Sequence, residues 1–164
     1  MSELTTGCAM RFIVLLGVTL AAACHGGDAP ADADEAMACI ATGRGDNYSM
    51  GLERPGAAGQ LHFKLMSATP APPRFGDNDW IIQISSMSNG VVGDPASGAT
   101  IRVTPFMPDH QHGTPIKASV MQMPEGQYEL SPINLWMPGY WEITINAEVG
   151  AVSDHVVYKF CIQA

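Results

Sequence analysis

The sequence predicts an all-β domain, an antiparallel sandwich of about seven to eight short strands joined by tight turns. Three observations predict it. From Met37 onward, short runs rich in Ile, Val, Tyr, Phe and Trp alternate with clusters of Gly, Pro, Asn and Asp. No stretch sustains the period of about 3.6 residues of an amphipathic helix over three turns. In Trp141-Glu-Ile-Thr-Ile-Asn146, apolar and polar residues alternate, as a strand with one buried and one wet face requires.

Taken in order, strands are expected near Cys39 to Thr42, Gln60 to Ser67, Asp79 to Met87, Thr100 to Phe106, Ile116 to Gln122, Tyr128 to Leu135, Tyr140 to Ala147 and Val152 to Ile162. Chain direction then separates the two ends of the sandwich. If Thr100 to Phe106 runs upward, the loop Met107 to Pro115 lies at the top. The turn Trp136-Met-Pro-Gly139 returns to the same end after a down strand and an up strand. The Pro-rich segment Thr69 to Asn78 also starts from the top.

Ahead of the domain, Phe12 to Ala23 is an apolar run preceded by Arg11 and closed by Ala21-Ala-Ala-Cys24. A charged flank, a short apolar stretch and small residues at the end are the marks of a signal peptide, and a spanning helix needs about 20 apolar residues. Residues 1–23 are therefore expected to be a lipoprotein signal, with Cys24 lipidated and the chain held to a membrane through that lipid. Met1 to Ala9 carries Glu3 and no cation, so Met10 is the expected start, and Cys8 would then not be made. Residues 24–36, rich in Gly, Asp, Ala, Pro and Glu without apolar periodicity, are expected to be a disordered tether, followed by a domain over 37–164. The expected location is the bacterial cell envelope, on its periplasmic or outer face.

In such an oxidising compartment Cys39 and Cys161, one near each end of the domain, are expected to pair as a disulfide. Two buried free thiols or a thiolate metal site are the alternatives, and neither has a spacing such as Cys-x-x-Cys. Acidic residues outnumber basic ones 16 to 8 and the net charge is -8. With no basic cluster, nucleic acid is excluded as a partner, as is binding to anionic lipid by charge. No nucleophile elbow, zinc-protease helix or phosphate-cradling loop is present, and no enzymatic activity is expected.

The chemistry concentrates in Met107-Pro-Asp-His-Gln-His-Gly113, where a thioether, a carboxylate and two imidazoles share one loop. Cu(I) favours thioether and imidazole donors. Met107, His110, His112 and Met137 are the candidate ligands, with Met137 supplied by the neighbouring top turn and Asp109 expected to orient an imidazole. The competing reading makes the histidines solvated loop residues and the methionines plugs of the upper core. Met121 and Met123 are expected to pack in the core or its lower rim. His62 and His155 are expected to be structural or exposed. Arg44-Gly-Asp46 and Asp77-Asn-Asp79 read as turns in preference to an adhesion tripeptide or a calcium site.

Three segments in this order resemble the YtkA-like domain, an immunoglobulin-like module of bacterial envelope proteins related to FixH-type accessory proteins. They are Gly76-Asp-Asn-Asp-Trp-Ile-Ile82; Ala99-Thr-Ile-Arg-Val103 with Met107 to Gly113; and Pro124-Glu-Gly-Gln-Tyr-Glu129 with Met137-Pro-Gly-Tyr-Trp-Glu-Ile143. The resemblance spans about Leu61 to Ala147. It implies an immunoglobulin-like sandwich, and a partner among envelope systems for copper handling, metal efflux or respiratory-oxidase assembly. It also implies Met107, His110, His112 and Met137 as the positions to test. Asp109 and Gln111 inside the histidine motif, and Cys39 and Cys161, depart from the family pattern. The expected function is transient copper binding; the alternative is an envelope interaction module without metal, with Trp136 and Tyr140 as contact residues.

Overall fold

The computed structural model describes residues 31–164, with side chains from 34 onward. The signal segment, Met10, Cys24 and the start of the tether lie outside the described residues. One helix, α1 (Ala31–Ala41), precedes ten strands: β1 (Leu52–Pro55), β2 (Leu61–Thr69), β3 (Gly76–Ser88), β4 (Val91–Pro95), β5 (Thr100–Met107), β6 (His112–Gly113), β7 (Ser119–Gln122), β8 (Gln127–Leu135), β9 (Gly139–Val149) and β10 (Val152–Ile162). They form two antiparallel sheets, one ordered β1-β2-β3-β8-β7 with β4 also on β3, the other β10-β9-β5-β6. The immunoglobulin-like sandwich expected from the sequence is the architecture observed.

Period-two alternation builds the core. In β9 the buried residues Trp141, Ile143, Ile145 and Ala147 face inward while Glu142, Thr144 and Asn146 face out. From the other sheet β2 contributes Leu61, Phe63 and Leu65, and β3 contributes Trp80, Ile82 and Ile84. Trp80 meets Tyr158 and Phe160 of β10 edge-on, with ring centroids 6.0 and 5.6 Å away, a geometry that sets ring edges against ring faces across the sandwich.

Four expectations are corrected. The strand expected at Cys39 to Thr42 is the end of α1, and the expected tether is helical from Ala31. The segment is rich in Ala, a strong helix former, with acidic residues in its first half where the helix dipole favours them. Over residues 34–41 it buries only Ala36 and Cys39, three apart, so no long apolar stripe announces it. The strand count is ten because β1, β4 and β6 are too short to show a pattern. Met121 is 57% exposed on an edge strand and does not pack in the core.

Cys39 and Cys161 do form a disulfide, across a sequence separation of 122. It joins α1 to the end of β10. Beyond it, α1 ends in a glycine-closed reversal: Gly43 has φ 64°, its N–H reaches the Ile40 carbonyl at 3.0 Å, and the Arg44 N–H reaches that of Cys39 at 3.3 Å. This left-handed closure turns the chain back over the sheet.

Asp154 is the strongest polar tie at the opposite edge. Its buried carboxylate accepts the backbone N–H groups of Ala58, Gln60, Leu61 and His155 at 2.8 to 3.0 Å. Burial alone would raise its pKa, but those donors outweigh burial and hold it below the ordinary value. A lowered folded pKa makes its stabilisation complete above the unfolded value of about 3.9 and lost as pH falls through the folded one. Asp154→Ala should cost about 2 to 3 kcal/mol in urea unfolding at pH 7. The variant should also lose less stability than the parent between pH 5 and 2, and equal acid sensitivity would contradict this role.

Candidate metal centre

The site stands at the upper end of the sheet formed by β10, β9, β5 and β6. β5 enters the core at Met107, which is fully buried. The turn that follows, with Gln111 at φ 56°, reverses the chain so that His112 in β6 pairs directly with Met107. Directly paired residues project to the same face of a sheet, so the thioether and the His112 ring share the inward face. His110 projects from the turn, with its ring centroid 5.6 Å from that of His112. Two imidazoles sharing one ion at about 2 Å from each nitrogen hold their ring centres roughly 5 to 6 Å apart.

Trp136, 42% exposed, covers the outer side of His112. Its ring stacks at a centroid distance of 5.2 Å and an angle of 27°, and its indole N–H donates to the Gly113 carbonyl at 3.2 Å. The same carbonyl lies 3.2 Å from His112 Nδ1. A carbonyl only accepts, so Nδ1 carries the proton and the lone pair of a neutral His112 lies on Nε2.

The other imidazole is engaged from α1. Glu35 Oε2 lies 2.5 Å from His110 Nε2. A carboxylate likewise accepts, which places the shared proton on Nε2 of His110 and leaves Nδ1 with the lone pair of the neutral ring. Gly139, the first residue of β9, forms the floor. A Cβ built there would lie 2.7 Å from Met107 Cε and 3.6 Å from Glu35 Oε2. Its φ of 127° and that close approach both demand glycine. Met107 and Glu35, the latter bonded to His110, thus meet above one residue.

Arg44 makes the second tie from the N-terminal segment. Its guanidinium grips Asp109 with two hydrogen bonds, 2.6 and 2.9 Å, and lies 4.1 Å over the Tyr140 ring. The Arg44 hydrogen bond draws the Asp109 carboxyl below its ordinary pKa against the opposing effect of burial. Beneath it, burial and the hydrogen bond to Glu142 push Tyr140 up to about 12. Asp109 is therefore committed to Arg44 and not to an imidazole, which corrects the orienting role expected for it. The bidentate geometry of guanidinium and carboxylate decides the competition.

The remaining candidates separate clearly. Met137 packs on the core and is held by its carbonyl, which accepts the Trp141 indole N–H at 2.8 Å; it lies in the same top turn as Trp136. Met107, His110 and His112 come together, and Glu35 joins them. Sequence reasoning missed Glu35 because one of several acids in an expected tether, 75 positions ahead of His110, carries no spacing signal. His155 is exposed and His62 half-buried on other strands. Asp46 accepts the Lys159 N–H at 2.8 Å and pairs with Arg54 at 3.0 Å. Asn78 is buried and ties the turn at Arg74 and Gly76. Arg44 to Asp46 is thus loop structure, whereas Asp77 to Asp79 opens β3, which corrects the turn expected there.

Among the described residues no group of three or more His, Cys, Asp and Glu side chains is placed to hold a metal ion. Two imidazoles with a buried thioether on the same face fit a soft ion such as Cu(I).

The family model for the YtkA-like domain matches residues 57–146. No curated protein matches. Among solved structures, a copper-bound variant of FetP from uropathogenic Escherichia coli strain F11 is similar at 13% identity and a TM-score of 0.45, covering 70% of this chain and 96% of that one. A DUF4426 family protein from Pseudomonas aeruginosa PAO1 is similar at 14% identity and a TM-score of 0.42, covering 64% and 92%.

The Arg44 and Asp109 side chains are 41% and 44% exposed, so solvent screens much of their attraction. A double-mutant cycle with Arg44→Ala and Asp109→Ala should give a coupling of about 0.5 to 1 kcal/mol at low salt. Zero coupling would show that Arg44 is held by Tyr140 alone.

Proposed function

This chain belongs to the YtkA-like family, and on that premise we propose that it is a non-enzymatic, lipid-anchored envelope protein that binds copper transiently. The observation that supports this most directly is the placement of the His110 and His112 rings 5.6 Å apart beside the buried Met107. Met107, His110 and His112 are the proposed ligands, with Met137 adjacent in the top turn. Bound copper would supply a soft, one-electron redox ion at this end of the sandwich.

The protein's own contribution is positioning. The Gly113 carbonyl orients His112 so that Nε2 is its free donor. Stacking on Trp136 restricts that ring to one face, and Gly139 gives Met107 room to lie against the sheet. A half-exposed site with few donors suits an ion that is taken up and passed on. Lipid on Cys24 would hold the domain at a membrane, beside an envelope partner in copper handling, efflux or oxidase assembly.

A second reading is favoured by the exposure of Trp136 beside the site; Tyr140, the other contact residue expected, is buried beneath Arg44 and takes no part in it. In it, this end of the sandwich is a protein contact surface and no metal binds.

The test is a competition titration of the full chain carrying Cys8→Ser and Cys24→Ser with Cu(I) against a chromophoric chelator. One equivalent should bind. His110→Ala with His112→Ala should weaken binding at least about a hundredfold, as removal of two ligands implies. Met107→Leu, which preserves packing volume, should weaken Cu(I) more than Cu(II). Equal, weak binding by parent and double variant would sink the copper reading. Because Trp136 stacks on His112, its fluorescence should fall in step with occupancy and should not change in the double variant.

A further inference from the structure

The helix α1 and the reversal after it form a strap across the histidine loop. Glu35 holds His110 on one side of the strap and Arg44 holds Asp109 on the other. Between them Cys39 is bonded to Cys161. Arg44 also lies over the Tyr140 ring, and Asp46 beyond the reversal binds Lys159 and Arg54, but α1 itself is lightly packed. Its buried hydrophobic residues are Ala36 and Cys39, while Met37 and Ile40 are 57% and 47% exposed. A helix of eleven residues is marginal on its own in water, and burying two small side chains contributes little against the cost of ordering it. Both polar ties are themselves partly exposed. The disulfide is therefore the one covalent attachment that holds the strap.

Of the two cysteines, Cys161 is the more exposed. Cys39 is buried at 3% exposure, whereas Cys161 is half-buried and lines an open cleft of about 470 Å³ with Gly45, Tyr48, Pro73, Arg74 and Phe160. The cleft carries an exposed cation, Arg74, with Asp46, Asn47 and Gln163 among its other polar lining residues. It lies outside the metal centre and has no part in the function proposed above.

We propose that Cys39–Cys161 is a thiol-exchange site for an external dithiol, and that its reduction releases the strap from the histidine loop. The donor thiolate enters through the cleft and attacks Cys161 Sγ. A mixed disulfide forms there, and Cys39 leaves as a thiolate and takes up a proton. The donor's second thiol then attacks the mixed disulfide, Cys161 leaves, and the donor departs oxidised to its own disulfide. Two electrons pass to the cysteine pair. With the covalent link gone, Glu35 withdraws, and the His110 ring, no longer held through Nε2, is free to turn either nitrogen toward an ion. This second consequence rests on the copper reading and makes metal uptake responsive to the thiol state of the compartment.

The full chain carrying Cys8→Ser and Cys24→Ser tests both steps. Brief exposure to glutathione, an acid quench and peptide mapping should place the mixed disulfide on Cys161; finding it on Cys39, or finding none, contradicts the proposal. After reduction with dithiothreitol, backbone amides of 35–41 should exchange hydrogen at least about tenfold faster while β8 and β9 stay protected. Unchanged exchange in α1 overturns the release. Loss of protection across both sheets overturns it too, because the bond is then a staple of the whole domain. Cys39→Ser with Cys161→Ser, which offers no thiolate to compete for metal, should bind Cu(I) at least about threefold more tightly than the oxidised parent. Faster exchange in this variant with unchanged Cu(I) binding upholds the strap and defeats the metal reading.

Discussion

The upper end of this sandwich depends on the missing side chain at position 139. Gly139 opens β9 at a backbone angle that disfavours any other residue, and Met107 Cε comes to 2.7 Å from where a Cβ would stand. That space lets Met107 finish β5 inside the core. It also lets the turn after Met107 close tightly enough for β6 to pair back on β5, and lets Glu35 approach from α1. A methyl group at 139 would push against a fully buried side chain with no free volume to receive it. The placement of both histidines follows from the position of Met107, since His112 is its cross-strand partner and His110 is fixed between them.

Much of the fold was legible because it rests on local rules. Val152 to Ile162 and Thr100 to Phe106 alternate cleanly, and the observed β10 and β5 match them almost residue for residue. Chain direction correctly brought the histidine loop and the turn at Trp136 to the same end, as the His112–Trp136 stack requires. The short strands β1, β4 and β6 escaped because strands of two to five residues show too few alternations to be read. The helix escaped because a strap that buries two small residues has almost no amphipathic signature.

The site was legible only in part, for a different reason. Met107, His110 and His112 lie within one loop, so their proximity could be read from spacing. Asp109 stands in the same loop, yet it turns away because Arg44 offers a bidentate partner that no imidazole can match. Glu35 and Arg44 come from the far side of the disulfide. Their arrival at the loop is a product of the Cys39–Cys161 link and of the reversal at Gly43, neither of which specifies a destination in sequence. Position 139 was visible as part of a Met-x-Gly pattern, but its steric purpose emerges only when Met107 is seen against it.

These elements describe a rigid sandwich that presents two imidazoles and a thioether at one rim, with a lightly packed strap laid over them. The central claim is that one soft ion is shared by Met107, His110 and His112. X-ray absorption at the copper edge of the Cu(I)-loaded protein tests it most directly, provided that Cys39 and Cys161 remain oxidised so that they supply no thiolate. The account predicts imidazole scatterers at about 2.0 Å together with one sulfur at about 2.3 Å, with the sulfur lost in Met107→Leu. A spectrum with light scatterers alone, or one whose sulfur survives that substitution, would contradict it.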